Sequence, residues 1–152
     1  EATILILGGG ALYTHVAERI EREGLTNVRL FPLMAASRGS EVYSLGDIAL
    51  IPLKRGVADI AMPSKTWTAM AAARPVVITA EERCAWAKVV READCGSICP
   101  PDDAKALADE ILRLSRNRGA LPAMVLRARE YVQTHLVRMD AAKAYHRALT
   151  KE

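Results

Sequence analysis

Residues 3–33, TILILGGGALYTHVAERIEREGLTNVRLFPL, decide the fold. They open with a short run of branched apolar residues, Thr3–Leu7, which is typical of a strand buried on both faces. Three glycines follow. Apolar residues then recur every four positions from Leu12 to Ile20, which predicts an amphipathic helix that a glycine ends. Val28–Leu33 reads as a second strand, so the stretch predicts a right-handed βαβ unit with parallel strands.

The rest of the chain repeats this alternation of strands and helices. Further strands are predicted at Asp47–Leu53, Pro75–Thr79 and Gly96–Cys99. The predicted helical segments are Ser40–Leu45, Ser64–Arg74, Ala85–Ala93, one opening at Pro100–Asp103, Leu121–Thr134 and Met139–Leu149. The pattern indicates an α/β domain over residues 1–152 with a doubly wound, Rossmann-like parallel sheet. Such sheets bind ligands at the carboxyl ends of their strands, so functional residues are expected just after Leu7, Leu33, Leu53 and Thr79.

Length and composition fit one domain. The chain has 152 residues, 51% of them hydrophobic, and it begins at Glu1, so it looks like a piece of a longer protein. No apolar run approaches the roughly 20 residues that span a bilayer. Three cysteines without a CxxC pair favour a reduced, cytoplasmic protein.

Basic residues concentrate near the C-terminus. Residues 113–147 hold eight arginines and lysines against two acids. A solvated helical face explains this, and so does a peripheral contact with anionic lipid head groups. Nucleic acid is not expected as a partner, because the chain has one Phe and no alternation of aromatic and basic residues.

The first candidate site is the turn Gly8, Gly9 and Gly10 between the first strand and helix. Backbone without side chains lets a phosphate or sugar approach, and the following helix offers free N–H groups. A tight turn that merely needs glycine is the alternative. A dinucleotide fingerprint would place glycine at position 13, which is Tyr13, and an acid at the end of the second strand. A nicotinamide dehydrogenase is therefore not expected.

The second candidate site is MPSKTWT, residues 62–68, where a loop meets another helix. Ser64 is expected to cap the helix, which leaves the N–H groups of Lys65, Thr66 and Trp67 without intrahelical acceptors. Lys65 adds a positive charge, so a diphosphate would suit this place. Ordinary capping with Lys65 in solvent is the alternative. No metal site or cofactor is expected, since the histidines and cysteines lack ligand spacing, and Trp67 and Trp86 are expected to pack in the core.

Four passages resemble retaining GT-B glycosyltransferases of the large family 4. They are residues 4–33, YSLGDIALIPL at 43–53, MPSKTWTAMAAARPVVITA at 62–80 and CGSICPPDDAKALADEILRL at 95–114. The MPSK motif preceded by GVADIA is closest to glycosyltransferases of the colanic-acid type in exopolysaccharide biosynthesis. The resemblance implies the donor-binding, C-terminal half of a two-domain enzyme. Its substrates would be a nucleotide-diphosphate sugar and a saccharide or lipid-linked acceptor, which a missing N-terminal domain would bind.

The resemblance also implies roles for individual residues. The base would rest near Pro32 and Leu33, and the ribose near Thr68. The diphosphate would lie near Lys65, Thr66 and Trp67, next to Pro63 and Ser64. The donor sugar would approach Gly9, Gly10 and the loop from Asp59 to Ser64.

The chain departs from the family pattern at its acidic positions. Two glutamates separated by seven residues are usual, and here Ile60 and Thr68 occupy those positions. A third acidic position aligns with Ala85. Asp59 would stand in for the first glutamate, and Thr68 would give one hydrogen bond to a ribose. A strand and helix that carry a diphosphate-clamping Arg and Lys have no counterpart, and that strand normally lies between Thr3–Leu7 and Asp47–Leu53.

Two classes of function remain open at this point. One is a glycosyltransferase whose isolated domain would be inactive. The other is a nucleotide-sugar binding or assembly module without transferase activity, or a sugar-nucleotide epimerase of the same architecture.

Overall fold

The computed structural model describes residues 2–57, 64–135, 147 and 149 of the chain. It contains five strands, β1 (Ile4–Leu7), β2 (Val28–Phe31), β3 (Ala49–Pro52), β4 (Val76–Thr79) and β5 (Gly96–Cys99). The helices are α1 (Tyr13–Arg22), α2 (Gly39–Ser44), α3 (Ser64–Ala71), α4 (Ala85–Ala93), α5 (Ala104–Arg116) and α6 (Leu121–His135). Short 3₁₀ turns precede α2 and α6. The helix predicted at Met139–Leu149 lies outside the described residues apart from Arg147 and Leu149.

In the part of the chain that the structure describes, all strand pairs are parallel, as predicted, but they form two sheets. β1 pairs with β2, with Ile4 opposite Val28. β4 lies between β3 and β5, with Val76 opposite both Ala49 and Gly96. Within the described residues β1 and β3 do not pair with each other. The sheet is therefore divided at the position where the family resemblance places one more strand.

β4 is the centre of the core, and its residues alternate between two apolar layers. Val76 and Ile78 pack with residues of α3, α4 and α6, among them Met70, Trp86 and Ala128. Val77 packs on the opposite face in a second cluster with Leu114, Leu121 and Cys99. Successive side chains of a strand point to opposite faces, and both faces of β4 are covered by apolar layers. Every residue of the strand is therefore buried, which explains its continuous apolar sequence. The three-stranded sheet is thus doubly wound.

The β1–α1–β2 unit is much less buried than the three-stranded sheet. No residue of α1 is buried, although its apolar residues follow the helical period. Ile6 and Phe31 are 37% and 42% exposed, and Leu33 is 78% exposed. Apolar side chains of the β1–α1–β2 unit therefore remain exposed, whereas those of the three-stranded sheet are buried.

α3 ends three residues before the predicted end at Arg74. The N–H of Ala73 donates to Met70 O at 3.0 Å, and that of Arg74 donates to Ala69 O at 2.9 Å. These two bonds form a Schellman motif with Ala73 at φ 56°. Left-handed backbone at Ala73 stops the helix before Pro75 can. Among the residues that the structure describes, no helix has both the length and the apolar composition that crossing a bilayer requires.

Candidate functional site

The glycine turn and the end of β2 are neighbours, as the predicted base and sugar contacts require. The N–H of Gly8 donates to Phe31 O at 3.1 Å. A Cβ placed on Gly9 would lie 3.8 Å from the Cβ of Leu33. Gly10 has φ +110°, a backbone conformation that side chains other than glycine rarely adopt. Conformation therefore requires glycine at position 10, whereas the space around the turn is open.

The start of α3 presents backbone donors and the exposed cation of Lys65. The helix begins at Ser64 itself, one residue earlier than a cap at Ser64 would require. The N–H groups of the first turn, including those of Lys65, Thr66 and Trp67, have no acceptor within an α-helix. The Lys65 side chain is exposed and makes no ion pair or hydrogen bond with the described part of the chain. Donors and positive charge thus coincide at the end of α3 where the helix dipole also favours an anion.

The other side chains of this turn have different surroundings. Thr66 is fully buried, and its Oγ1 has no hydrogen-bond partner among the described residues. The Trp67 ring packs against Trp86, with ring centroids 4.8 Å apart, and lies parallel to the ring of Tyr131. The exposed Thr68 hydroxyl donates to Ser64 O at 3.1 Å. Thr66 and Trp67 can therefore offer a ligand only their N–H groups, and Thr68 offers its oxygen as an acceptor.

Side chains from β4 and the loop after it hold the end of β3, which sequence reasoning missed. The buried Thr79 hydroxyl bonds to the N–H and to the carbonyl of Leu53, each at 2.7 Å. The Glu81 Oε1 accepts the N–H of Gly56 at 2.8 Å. This amide, together with the amide of Glu81 itself, holds the pKa of the Glu81 carboxyl below its usual value. The only local signal was position, since Glu81 follows the predicted end of a parallel strand.

A second carboxylate reaches the same loop from the end of β5. Asp102 Oδ2 accepts the N–H of Arg55 at 3.3 Å. A hollow of about 360 Å³ opens beside these contacts, and Arg55, Glu81, Arg83 and Pro101 are among its lining residues. Among the described residues, none that the sequence predicted to bind a ligand lines this hollow. The loops after β3, β4 and β5 are therefore joined at the carboxyl edge of the sheet.

The cysteines are core residues. Cys84, Cys95 and Cys99 are free and buried. Burial raises the pKa of the Cys95 thiol to about 11, so it is protonated at neutral pH. No group of three or more His, Cys, Asp or Glu side chains within the described residues could hold a metal ion.

This architecture and its ligand edge agree with a match to a known family. The family model described as Glycosyl transferases group 1 matches residues 1–117. The chain belongs to this family.

Two curated relatives are similar to this group 1 chain. WbjE of Pseudomonas aeruginosa, named as a glycosyltransferase, is 29% identical over 130 residues, which are 83% of this chain and 32% of WbjE. WcaI of Escherichia coli (strain K12), named as a colanic acid biosynthesis glycosyl transferase, is 28% identical over 141 residues, which are 92% of this chain and 34% of WcaI. The chain therefore spans about a third of the length of these relatives.

Solved glycosyltransferases share the fold of this group 1 domain. A mutant of S. aureus TarM, crystallised with fondaparinux, alpha-GlcNAc-glycerol and UDP, superimposes with a TM-score of 0.77 at 18% identity. The match covers 94% of this chain and 28% of TarM. WaaG, a glycosyltransferase involved in lipopolysaccharide biosynthesis, gives a TM-score of 0.64 at 24% identity, covering 88% of this chain and 34% of WaaG. These likenesses confirm the predicted α/β fold of a GT-B C-terminal domain.

The predicted site residues of this group 1 domain fall into two groups. The glycine turn lies with Pro32 and Leu33 beside the β1–β2 sheet, and residues 64–68 begin α3 beside the other sheet. Within the described residues no hydrogen bond or ion pair joins the two groups. Asp59, Ile60 and Pro63 lie outside the described residues.

Proposed function

We propose that this chain is the donor-binding part of a retaining glycosyltransferase. The enzyme transfers a sugar from a nucleotide diphosphate to a saccharide or lipid-linked acceptor in exopolysaccharide biosynthesis. The family match supports sugar transfer, and the name of WcaI supports a polysaccharide product. The observation that carries the proposal is the exposed start of α3, where N–H groups of the first turn lack intrahelical acceptors and Lys65 has no ion-pair partner among the described residues.

The diphosphate of the donor binds at the start of α3 in this proposal. When the bond between the anomeric carbon and the diphosphate oxygen breaks, the electron pair stays on the diphosphate. The backbone N–H groups of Lys65, Thr66 and Trp67 and the Lys65 ammonium stabilise this growing negative charge. Positioning and charge stabilisation are thereby the main contributions of this domain.

The rest of the donor extends to the other predicted residues. The base lies against Pro32 and Leu33, the sugar approaches Gly9 and Gly10, and Asp59 provides the carboxylate beside the sugar. The Thr68 oxygen accepts a hydrogen bond from a ribose hydroxyl, because the hydrogen of the Thr68 hydroxyl is already donated to Ser64 O. An N-terminal domain binds the acceptor at the cytoplasmic face of the membrane, where the basic C-terminal surface contacts anionic lipid.

Replacement of Lys65 tests the diphosphate site. A charge-assisted hydrogen bond to phosphate contributes roughly 1.5–3 kcal/mol, so Lys65→Ala should weaken nucleoside-diphosphate binding about ten- to a hundredfold. Calorimetric titration of the full-length protein with UDP, GDP and ADP, and with the corresponding monophosphates, gives this number. The melting temperature should stay within about 2 °C of wild type, since an exposed Lys changes stability little.

Lys105→Ala is the matched control. Lys105 is also the exposed second residue of a helix, α5, but it pairs with Asp109. It should leave affinity unchanged. Wild-type affinity in Lys65→Ala, or equal affinity for mono- and diphosphates in the wild type, would exclude this diphosphate site.

A non-catalytic nucleotide-sugar binding module is the second candidate, and one observation favours it. Position 68 carries a threonine where the family has a glutamate, and its hydroxyl hydrogen is used within the helix. A sugar-nucleotide epimerase of the same architecture is a further form of this alternative. Incubation of the full-length protein with labelled donors and membranes separates the candidates. Lipid-linked product supports the transferase, free epimerised donor supports the epimerase, and unchanged donor supports the binding module.

A further inference from the structure

The hollow of about 360 Å³ at the carboxyl edge of the three-stranded sheet is large enough for a small organic molecule. Three parallel strands supply its lining, through Arg55 after β3, residues 80–83 after β4 and residues 98–101 at the end of β5. Open α/β sheets bind ligands in crevices outside these strand ends. Within the described part of the chain no residue of α3 lines the hollow, so it is separate from the start of that helix.

The buried part of the lining is apolar and uncharged. Ala80, Cys99 and Pro101 are buried, and the partly buried Ile98 packs against the core beside them. Burial raises the pKa of the Cys99 thiol, so this side chain is neutral at pH 7. An uncharged lining of this kind suits the carbon skeleton of an organic ligand.

The two carboxylates of the lining are engaged by the protein itself. Glu81 accepts the N–H of Gly56 with Oε1 at 2.8 Å, and its Oε2 is buried. Glu82 pairs with Arg91 of α4, which also donates to the Glu82 carbonyl at 2.7 Å. Among the described residues, neither carboxylate forms an ion pair with a cation that lines the hollow.

The two other charged residues of the lining, Arg55 and Arg83, are exposed. Neither guanidinium makes an ion pair or hydrogen bond with the residues that the structure describes. Their backbone is held, because Asp102 Oδ2 accepts the N–H of Arg55 at 3.3 Å and the turn at Arg83 closes by a bond from Cys84 N to Glu81 O at 3.0 Å. The unpaired charge of the lining is therefore positive, and its backbone needs little ordering when a ligand binds.

We infer that the hollow is a binding site for the phosphate monoester of a sugar-sized molecule, with Arg55 and Arg83 on the phosphate and the apolar lining against the carbon skeleton. A guanidinium presents its N–H groups in a planar fork that matches phosphate oxygens. A phosphate monoester carries close to two negative charges at neutral pH, which balances both arginines, whereas a carboxylate balances one. The inference does not rest on the proposed function, because it needs neither the start of α3 nor sugar transfer.

Calorimetric titration of the full-length protein with glucose 1-phosphate, inorganic phosphate and glucose tests this site. Glucose 1-phosphate should bind with a Kd below about 1 mM, and glucose should not bind. Inorganic phosphate should bind about threefold more weakly or worse, because it lacks the carbon skeleton that the apolar lining covers. Arg55→Ala and Arg83→Ala should each weaken glucose 1-phosphate about tenfold. Their melting temperatures should stay within about 2 °C of wild type, since both side chains are exposed.

Two control variants locate the binding. Arg29→Ala removes an exposed arginine of β2, in the other sheet, and should leave the Kd of glucose 1-phosphate unchanged. Lys65→Ala should leave this Kd unchanged as well, although it tests the donor diphosphate site, so the two proposals can fail separately. The inference is overturned if glucose 1-phosphate does not bind the wild type, or if Lys65→Ala weakens it as much as Arg55→Ala. Equal affinity for inorganic phosphate and glucose 1-phosphate would overturn it too, because the apolar lining would then contribute nothing.

Discussion

Gly96→Ala should destabilise the protein more than any other exchange of a glycine for alanine in the described strands and turns. A Cβ at position 96 would lie 1.9 Å from Val76 O and 2.8 Å from Val76 C. Gly96 stands opposite Val76 in the parallel pair of β5 and β4. Real Cβ atoms stay beyond 3.0 Å, so the strands must separate by at least 1.1 Å, the difference between 3.0 and 1.9 Å.

The size of the destabilisation depends on how far β4 can move without losing packing and hydrogen bonds. Val76 is fully buried and its N–H donates to Cys95 O at 3.2 Å, so movement there disturbs both packing and the ladder. Overpacking a core costs roughly 1–3 kcal/mol, and each weakened backbone hydrogen bond adds about 0.5–1.5 kcal/mol. With one backbone bond weakened, the free energy of unfolding should therefore fall by about 1.5–4.5 kcal/mol. For a domain of this size that lowers Tm by roughly 3–18 °C.

Urea and thermal unfolding monitored by circular dichroism measure this change. Gly119→Ala is the matched control, because a Cβ there meets nothing within 4 Å and its φ is not positive. It should stay within about 0.5 kcal/mol of wild type. A Gly96→Ala protein within 1 kcal/mol of wild type would refute the close approach of the two strands.

Two other predictions concern the end of α3 and the loss of stability at low pH. Ala73→Gly should raise the free energy of unfolding by roughly 0.5–1 kcal/mol in urea titrations, because glycine adopts φ 56° freely. Ala72→Gly, one residue earlier and without positive φ, should lower the free energy of unfolding. A change of the same sign in both variants would contradict the left-handed cap at Ala73. The bidentate bonds from Arg113, at 2.7 and 2.8 Å, lower the pKa of the Glu110 carboxyl. A folded-state pKa below the unfolded one gives stability that is present above the unfolded value of about 4.3 and is lost as pH falls further. The gap in urea midpoint between wild type and Glu110→Gln should therefore shrink from pH 7 to pH 3, and a constant gap would disprove the linkage.

Two elements were predicted from the sequence at the place where the structure has them. α4 and β5 have the predicted bounds, Ala85–Ala93 and Gly96–Cys99. The end of α3 was predicted wrongly, because the rule that recognises a left-handed cap looks for glycine or asparagine and the chain has Ala73 there. β3 begins at Ala49 rather than at the predicted Asp47, whose carboxylate pairs with Arg118 at 2.8 Å. That partner is 71 residues away, beyond any local pattern.

What the sequence indicates about the candidate site is limited to local features. A helix start after a loop, at the carboxyl edge of parallel strands, is visible in the sequence, and so are Gly10 and Lys65. The contacts that hold this edge are not, because Glu81 meets Gly56 across 25 residues and Asp102 meets Arg55 across 47. Trp67 was expected to pack in the core, and its ring does lie against Trp86.

The hydroxyl of Thr79 is one of the polar groups at the carboxyl edge of the three-stranded sheet, and its bonding limits which groups there can donate a hydrogen bond to a ligand. Ala49 N–H donates to Pro75 O, so alternate residues of β3 face β4, and Leu53 is the next residue in that series. At Leu53 the Thr79 hydroxyl extends the pairing beyond the end of the strands, by receiving one hydrogen from the Leu53 N–H and returning its own to the carbonyl of the same residue. Its single hydrogen is thereby used inside the protein. If the donor diphosphate binds at this edge as proposed, it finds an alcohol that cannot donate to it, which leaves main-chain amides and lysine as the expected donors.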